Sequence, residues 1–252
     1  MNNQILLKAD DWNLISNIRN AYENDCIEKF VNSHQTIPLI LQIQPYRSRF
    51  KLQRYAELKY KYISIIGSFI KHILRDNSLQ NHDYDFIKTQ LDTLLLLNTS
   101  ELMKSNVLQH VPWQYERLLF ESVYQPYLLQ CMEKCLDNYQ KFLPYDSIVV
   151  KMFLLVFAFS PCLNPLQMKT HYQTNDFQLF PLPIYHLQNY YLTLLSKYII
   201  YRFGYVDAMM FLVRFVQCFL YNQTIASDMI SAIANRDDRG QLTELLERTV
   251  KL

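Results

Sequence analysis

The side chains able to do chemistry in this 252-residue sequence are scattered rather than gathered into a motif. Its six histidines, His34, His72, His82, His110, His171 and His186, form no His-x-x-x-His pair, the spacing that sets two imidazoles on one helical face around zinc. Cys131 and Cys135 lie one helical turn apart with Glu133 between them, and with no histidine nearby in sequence the pair fits a buried core better than a nucleophile. The other cysteines, Cys26, Cys162 and Cys218, add no Cys-x-x-Cys pair, which fits a reduced intracellular compartment. Prenyl-diphosphate synthases and terpene cyclases hold Mg²⁺ on pyrophosphate with Asp-Asp-x-x-Asp; Asp10-Asp11 and Asp237-Asp238 lack the third carboxylate. No catalytic constellation results, so the chain is read as a non-enzyme with no cofactor or metal.

Glycine narrows the field further. Gly67, Gly204 and Gly240 are the only three, so a Gly-x-Gly-x-x-Gly turn, a phosphate-binding loop and a Gly-x-Ser-x-Gly elbow are all excluded. Sandwiches and barrels also need glycine for tight turns at positive φ, which leaves helices. Half the residues are hydrophobic and 19% are charged, enough for a sizeable core. The net charge of +2 comes from 25 basic and 23 acidic residues without a basic stripe, so no direct nucleic-acid binding is expected. The most apolar run, residues 152–159, is far shorter than the roughly 20 residues that span a bilayer, and the N-terminus lacks a signal-peptide layout. A soluble protein with no membrane contact is expected.

The elements that must position these residues follow a 3.6-residue period. A first helix is predicted over 10–30, capped by Asp10 or Asp11, with Trp12, Ile15, Ile18 and Tyr22 on one face. A long helix over 50–74 carries the stripe Leu58, Tyr62, Ile65, Ile66, Phe69 and Ile73. Helices over 81–103, 112–142 with a break at Pro126, and 146–159 follow, the last apolar except for Lys151. Residues 161–183 read as a proline-punctuated loop. An amphipathic helix bearing Leu187, Tyr190, Tyr191, Leu194, Leu195, Tyr198 and Ile199 comes next, then a long helix from Gly204 to Ala234, a charged hinge and a short amphipathic tail over 241–250. About nine helices and no strand predict an all-α domain in layers.

Several stretches, in order, resemble one family. Phe69, Lys71 and Ile73, followed by Leu79 and Asp83, resemble the signature of the nuclear receptor ligand-binding domain, and Ile87 with residues 94–97 continues it. Residues 143–161, ending in Ser160 and Pro161, are similar to the family's eighth helix in receptors of the vitamin D and thyroid hormone group. Ile184, Leu187, Gln188, Leu194, Tyr198, Ile199 and Arg202 resemble its ninth, and Leu242, Glu244, Leu245 and Leu246 its activation helix. The pattern diverges where Tyr84 replaces the signature glutamine, Ile70 its alanine, and Gln241 the first apolar residue of the activation helix. A short hairpin expected after the fifth helix has only residues 104–111 to form in.

That resemblance implies a single ligand-binding domain over 1–252, a three-layer antiparallel helical sandwich with 241–250 as activation helix. The family's zinc-bearing DNA-binding module needs many Cys-x-x-Cys pairs and is not expected in this chain. It implies a groove for the Leu-x-x-Leu-Leu helix of a coactivator or corepressor, with Glu244 at the peptide's N-terminus, Lys71 at its C-terminus and Ile73, Ile87, Leu245 and Leu246 as wall. Each charge would meet the favourable end of the peptide's helix dipole. It implies a lipophilic ligand against Leu58, Tyr62, Ile65, Leu96 and Leu97, although large aromatics can fill the same space. A dimer interface through Met209, Leu212, Val213, Val216 and Leu220, with a second copy or a retinoid X receptor-like partner, and action in the nucleus complete the expectation. The alternative is a ligand-independent helical scaffold that keeps the fold and the dimer surface without the switch.

Overall fold

The computed structural model describes residues 7–34, 48–75, 79, 81–104, 120–121, 123–142, 146–160 and 182–234. Every regular element among them is helical, so the chain is all-α. The expected hairpin over 104–111, the loop over 161–183 and the tail over 241–250 fall wholly or mostly outside the described residues.

Helix α1 spans Ala9–Tyr22, with Ile15, Ile18, Ala21 and Tyr22 buried. It begins one residue earlier than predicted, and the expected cap is corrected: Asp11 sits in the first turn, where its Oδ2 accepts the backbone N–H of Lys8 at 2.9 Å. Both Asp10 and Asp11 thereby meet the positive end of the helix dipole. Trp12 is the exposed member of its predicted face and lies edge-on against Tyr198 and Tyr201.

The predicted continuation of α1 is interrupted by a π-helical turn over Glu23–Glu28 before α2, Lys29–His34. Two consecutive residues, Asp25 and Cys26, are buried there. The Asp25 carboxylate takes the Nδ1 of His72 at 2.7 Å and the Nζ of Lys29 at 2.5 Å, and the Cys26 thiol donates to the Ile65 carbonyl at 3.8 Å. Wider turns of this kind insert a residue into an α-helix and re-aim side chains.

Helix α3, Ser48–Ile73, buries the predicted stripe from Leu58 to Phe69 and half-buries Ile73, and α4, Asn81–Lys104, buries Leu91, Leu94 and Leu97. Pro126 opens α5, Pro126–Phe142, at the one helical position where a missing N–H costs nothing. Helix α6, Ser147–Ala158, is capped by Asp146, whose Oδ1 accepts the Ile148 N–H at 3.0 Å. Helix α7 runs over Leu182–Ala234 and turns at Gly204. Helices α4 and α6 pack on each other; α4 also meets α3, α5 and α7, and α6 meets α1 and α7. One core cluster joins all of these helices.

Helix α6 is buried on nearly every side, and Lys151 is buried with it: its side chain is 3% exposed. Its Nζ lies 3.3 Å from Glu23 Oε1, 3.4 Å from Ser147 Oγ, 3.8 Å from Glu101 Oε1 and 4.9 Å from the centroid of the Tyr22 ring. Tyr22 in turn donates to Asn98 Oδ1 at 2.8 Å. The ammonium is thus held among α1, the π turn and α4.

Gly204 has φ 75° and ψ 166°, a conformation that only glycine adopts without strain. A Cβ added there meets nothing within 4 Å, so the glycine is required by the backbone and not by crowding. Gly204→Ala should therefore lower the unfolding free energy by about 1–3 kcal/mol in urea denaturation; a change of a few tenths would show that the bend relaxes freely.

Candidate functional site

The signature residues converge where α3 ends and α4 begins. Lys71 and His72 form the basic last turn of α3, and both are exposed. Ile73 is half-buried against the core, and Ile70 and Leu74 are fully buried, so the end of α3 is held by its apolar side while Lys71 faces solvent. On the facing helix Ile87 is buried at 4% exposure, and Asp83 is buried as well. Leu79 and Tyr84 pack against the core at the same corner. Of the expected groove residues, Lys71 and Ile73 thus reach the surface, while Ile87 lies beneath it. Glu244, Leu245 and Leu246 lie outside the described residues.

The position of Lys71 is set from behind by its neighbour. His72 Nδ1 meets the buried Asp25 of the π turn at 2.7 Å, tying the last turn of α3 to the N-terminal helix. Asp25 is also paired with Lys29, so its two carboxylate oxygens are engaged from two elements. Sequence reasoning missed this contact, because a π turn carries no periodic signal of its own.

All five expected ligand-lining residues, Leu58, Tyr62, Ile65, Leu96 and Leu97, are buried members of one core cluster. Tyr62 packs against Phe30 with centroids 5.3 Å apart, and Tyr22 against Phe69 at 5.4 Å. Nearer the start of α3 the hydroxyls of Tyr55 and Tyr124 are hydrogen-bonded to each other, with Phe120 against the Tyr55 ring at 5.7 Å. Aromatic rings therefore pack on the expected pocket wall at Tyr62 and beside it on α3 at Tyr55 and Phe69.

The residues that carry the later part of the resemblance bond to one another across α6 and α7. Gln188 Nε2 donates to Ser160 Oγ at 2.7 Å, and Ser160 Oγ donates to the Val156 carbonyl at 2.8 Å. Asp146, beyond capping α6, accepts the Tyr198 hydroxyl at 2.5 Å and the Arg202 Nε at 3.0 Å on Oδ2. Burial, and then the Asp146 carboxylate, raise the Tyr198 pKa, which keeps its hydroxyl a donor. Tyr190 departs from the predicted inward face, at 58% exposure, while Tyr191, Leu194, Leu195, Tyr198 and Ile199 are buried as predicted.

Beyond Gly204 the expected dimer stripe divides. Val213, Val216 and Leu220 are exposed, whereas Met209 and Leu212 pack against the core. The inward face is Ala208, Phe215, Phe219 and Ile225; the Phe215 ring stacks on Phe153 and Phe219 on Phe157, each pair 3.7 Å apart. An apolar stripe covering most of the circumference conceals which of its sides faces inward. The stretch Leu182–Met229 is also long and apolar enough, by length and composition, to cross a membrane, with 22% of its most apolar window buried. Sequence reasoning placed the most apolar run in α6 because Asp207 and Arg214 interrupt this longer one.

Among the described cysteines, the buried Cys26 and Cys135 are held as thiols. Burial, with Cys218 nearby, pushes the Cys135 thiol up to about 12, and burial followed by the Asp25 charge raises Cys26 well above the ordinary thiol value. Among the described residues no three His, Cys, Asp or Glu side chains converge as a metal site. Searches against protein-family models and against curated proteins find no match to this chain.

These thiols fix a reactivity order. At pH 8 iodoacetamide should modify the half-exposed Cys131 of native protein while Cys26 and Cys135 react only after unfolding, as followed by peptide mass spectrometry. Comparable native labelling of Cys26 or Cys135 would contradict their burial. Because their folded pKa values are raised, the stability they contribute is complete below about pH 9 and is lost as pH climbs through those raised values.

Proposed function

We propose that the chain is a nuclear receptor-type ligand-binding domain, a three-layer helical sandwich that recruits coregulator helices to regulate transcription in the nucleus. The observation that carries this reading is the corner between α3 and α4, where Lys71 stands exposed in the last turn above half-buried Ile73 and buried Ile87. A cation held there by a packed helix end can meet the carbonyls at the C-terminus of a bound Leu-x-x-Leu-Leu helix, while the leucines use the apolar corner. Glu244 would meet the peptide's opposite end once the activation helix docks, with Leu245 and Leu246 as the other wall. A docked tail of ten residues gains its helicity from packing, since so short a helix is unstable alone. The Asp146–Tyr198–Arg202 and Ser160–Gln188 bonds add support, because they join the very stretches that resemble the family's eighth and ninth helices.

In this reading a lipophilic ligand would act by favouring the docked state of the tail. A second reading, a ligand-independent scaffold of the same fold, is favoured by the aromatic packing of Tyr62 on Phe30 and of Tyr55 on Phe120 around the expected pocket wall. Neither reading gives the chain a catalytic role.

The test is fluorescence anisotropy of a labelled Leu-x-x-Leu-Leu peptide, with and without a lipid extract. Lys71→Ala and Glu244→Ala should each weaken binding about fivefold, corresponding to about 1 kcal/mol for a charge at a helix end, with unchanged thermal unfolding. Binding indifferent to both substitutions, or no binding under either condition, would sink the groove. Binding that ignores lipid would favour the scaffold's independence of ligand.

A further inference from the structure

Helices α5 and α7 pack on each other, and Cys131, Cys135 and Cys218 gather where they meet. Two contacts set the register. The Tyr139 ring of α5 lies 5.9 Å from the Phe215 ring of α7. Eight residues back along α5, Cys131 is hydrogen-bonded to the hydroxyl of Tyr221, six residues further along α7. The two helices therefore run antiparallel here. Position 135, midway between 131 and 139, stands level with position 218, midway between 215 and 221. The electrostatics agree: after burial, it is Cys218 that raises the Cys135 thiol. Burial and then Cys135 raise the Tyr139 hydroxyl, and Cys218 adds to it, so both sulfurs lie near the same buried ring.

The two thiols differ in access. Cys135 is 1% exposed, whereas Cys218 is half-buried, so an oxidant in solution meets Cys218 first and finds Cys135 behind it. An accessible thiol poised next to a second one is the arrangement by which a sulfenic acid is resolved to a disulfide. Cys131 does not fill the second role for Cys135. One turn apart on a helix, β-carbons are about 5–6 Å from each other, beyond the roughly 3.5–4.5 Å that a disulfide spans.

We propose that Cys135 and Cys218 are a reversible redox pair, a modification site for hydroperoxides whose disulfide ties α5 to the second half of α7. In the first step the O–O bond of the hydroperoxide breaks and one oxygen passes to the Cys218 sulfur. The thiol becomes a sulfenic acid, and the peroxide is reduced to water or an alcohol. In the second the Cys135 sulfur forms the S–S bond as the S–O bond of the sulfenic acid breaks, and the Cys135 proton leaves with the hydroxide as water. Two equivalents of a small thiol of the glutathione class reverse the change and are themselves oxidised to their disulfide. Because burial keeps both groups protonated at neutral pH, the pair stays reduced until peroxide is sustained. The bridge closes a long loop containing α6, which restricts the unfolded chain and stabilises the fold. The site stands on the packing of α5 and α7 and does not depend on the coregulator groove.

The test is peptide mass spectrometry of the full folded chain after exposure to hydrogen peroxide, with free thiols blocked before digestion. Wild type should yield a linked pair of peptides carrying Cys135 and Cys218, two hydrogen masses lighter than their sum and separated by dithiothreitol. The oxidised protein should melt at a higher temperature than the reduced one. Cys131→Ser should leave the link intact, and Cys218→Ser, its helicity checked by circular dichroism, should abolish it. Oxidised wild type without that link would overturn the proposal, whether Cys135 stays a free thiol or Cys218 runs on to sulfinic acid. So would a link that forms only in urea, one that joins Cys131 to Cys218 instead, or an oxidised protein that melts below the reduced one.

Discussion

One buried ammonium sets the arrangement of this protein. Helix α6 is apolar along its length, and a helix without a polar face has no intrinsic orientation about its own axis. Lys151 supplies one. With a side chain 3% exposed, its charge must be met inside the protein, and it is met by Glu101 of α4, Glu23 of the π turn and the face of the Tyr22 ring. Removal of two charges from water is costly and their attraction recovers it only in good geometry, so the cluster contributes more to which packing is chosen than to how stable it is. We read it as the device that fixes the rotation and depth of α6 among its neighbours.

From that point the order spreads along both chain directions. Tyr22 spans the cluster, its ring under the ammonium and its hydroxyl on Asn98, so α1 is referenced to α4 at the same level. The π turn that delivers Glu23 also delivers Asp25 to His72, and the last turn of α3 is thereby placed relative to the same centre. On the other side Asp146 caps α6 and takes Tyr198 and Arg202 of α7 on its second oxygen, so one carboxylate both starts the central helix and sets the first half of the long one. Gly204 then redirects that helix, and its second half turns Phe215 and Phe219 onto Phe153 and Phe157 of α6 while leaving its outer seam bare.

Much of this was legible in the sequence. The extent of α3 follows from a clear 3.6-residue period ended by Arg75 and the start of α6 from its Asp146 cap, and the inward stripe of α3 from Leu58 to Phe69 is buried as its spacing implies. Periodicity failed where it is weakest. The π turn has the composition of an ordinary helix, and its consequence, two adjacent residues facing inward, breaks the pattern on which prediction rests. The C-terminal half of α7 is apolar nearly all round, so the exposed Val213, Val216 and Leu220 could not be told from the half-buried Met209 and Leu212 by spacing. Lys151 was visible as an anomaly, yet its partners lie 50 and 128 residues away in sequence, at Glu101 and Glu23, and no local rule pairs them. At the candidate site the sequence identified Lys71, whereas the contact that positions its helix end, His72 with Asp25, is tertiary.

The buried cluster is most directly tested by a double-mutant cycle on Lys151 and Glu101, with unfolding free energies from urea titration. Lys151→Met, which removes the ammonium that the buried Glu101 faces, should cost about 3–5 kcal/mol, and Lys151→Met with Glu101→Leu should recover most of that loss because the two charges are removed together. A single substitution that costs less than about 1 kcal/mol, or a double variant whose loss is the sum of the two single losses, would contradict the claim that this ammonium orients the central helix.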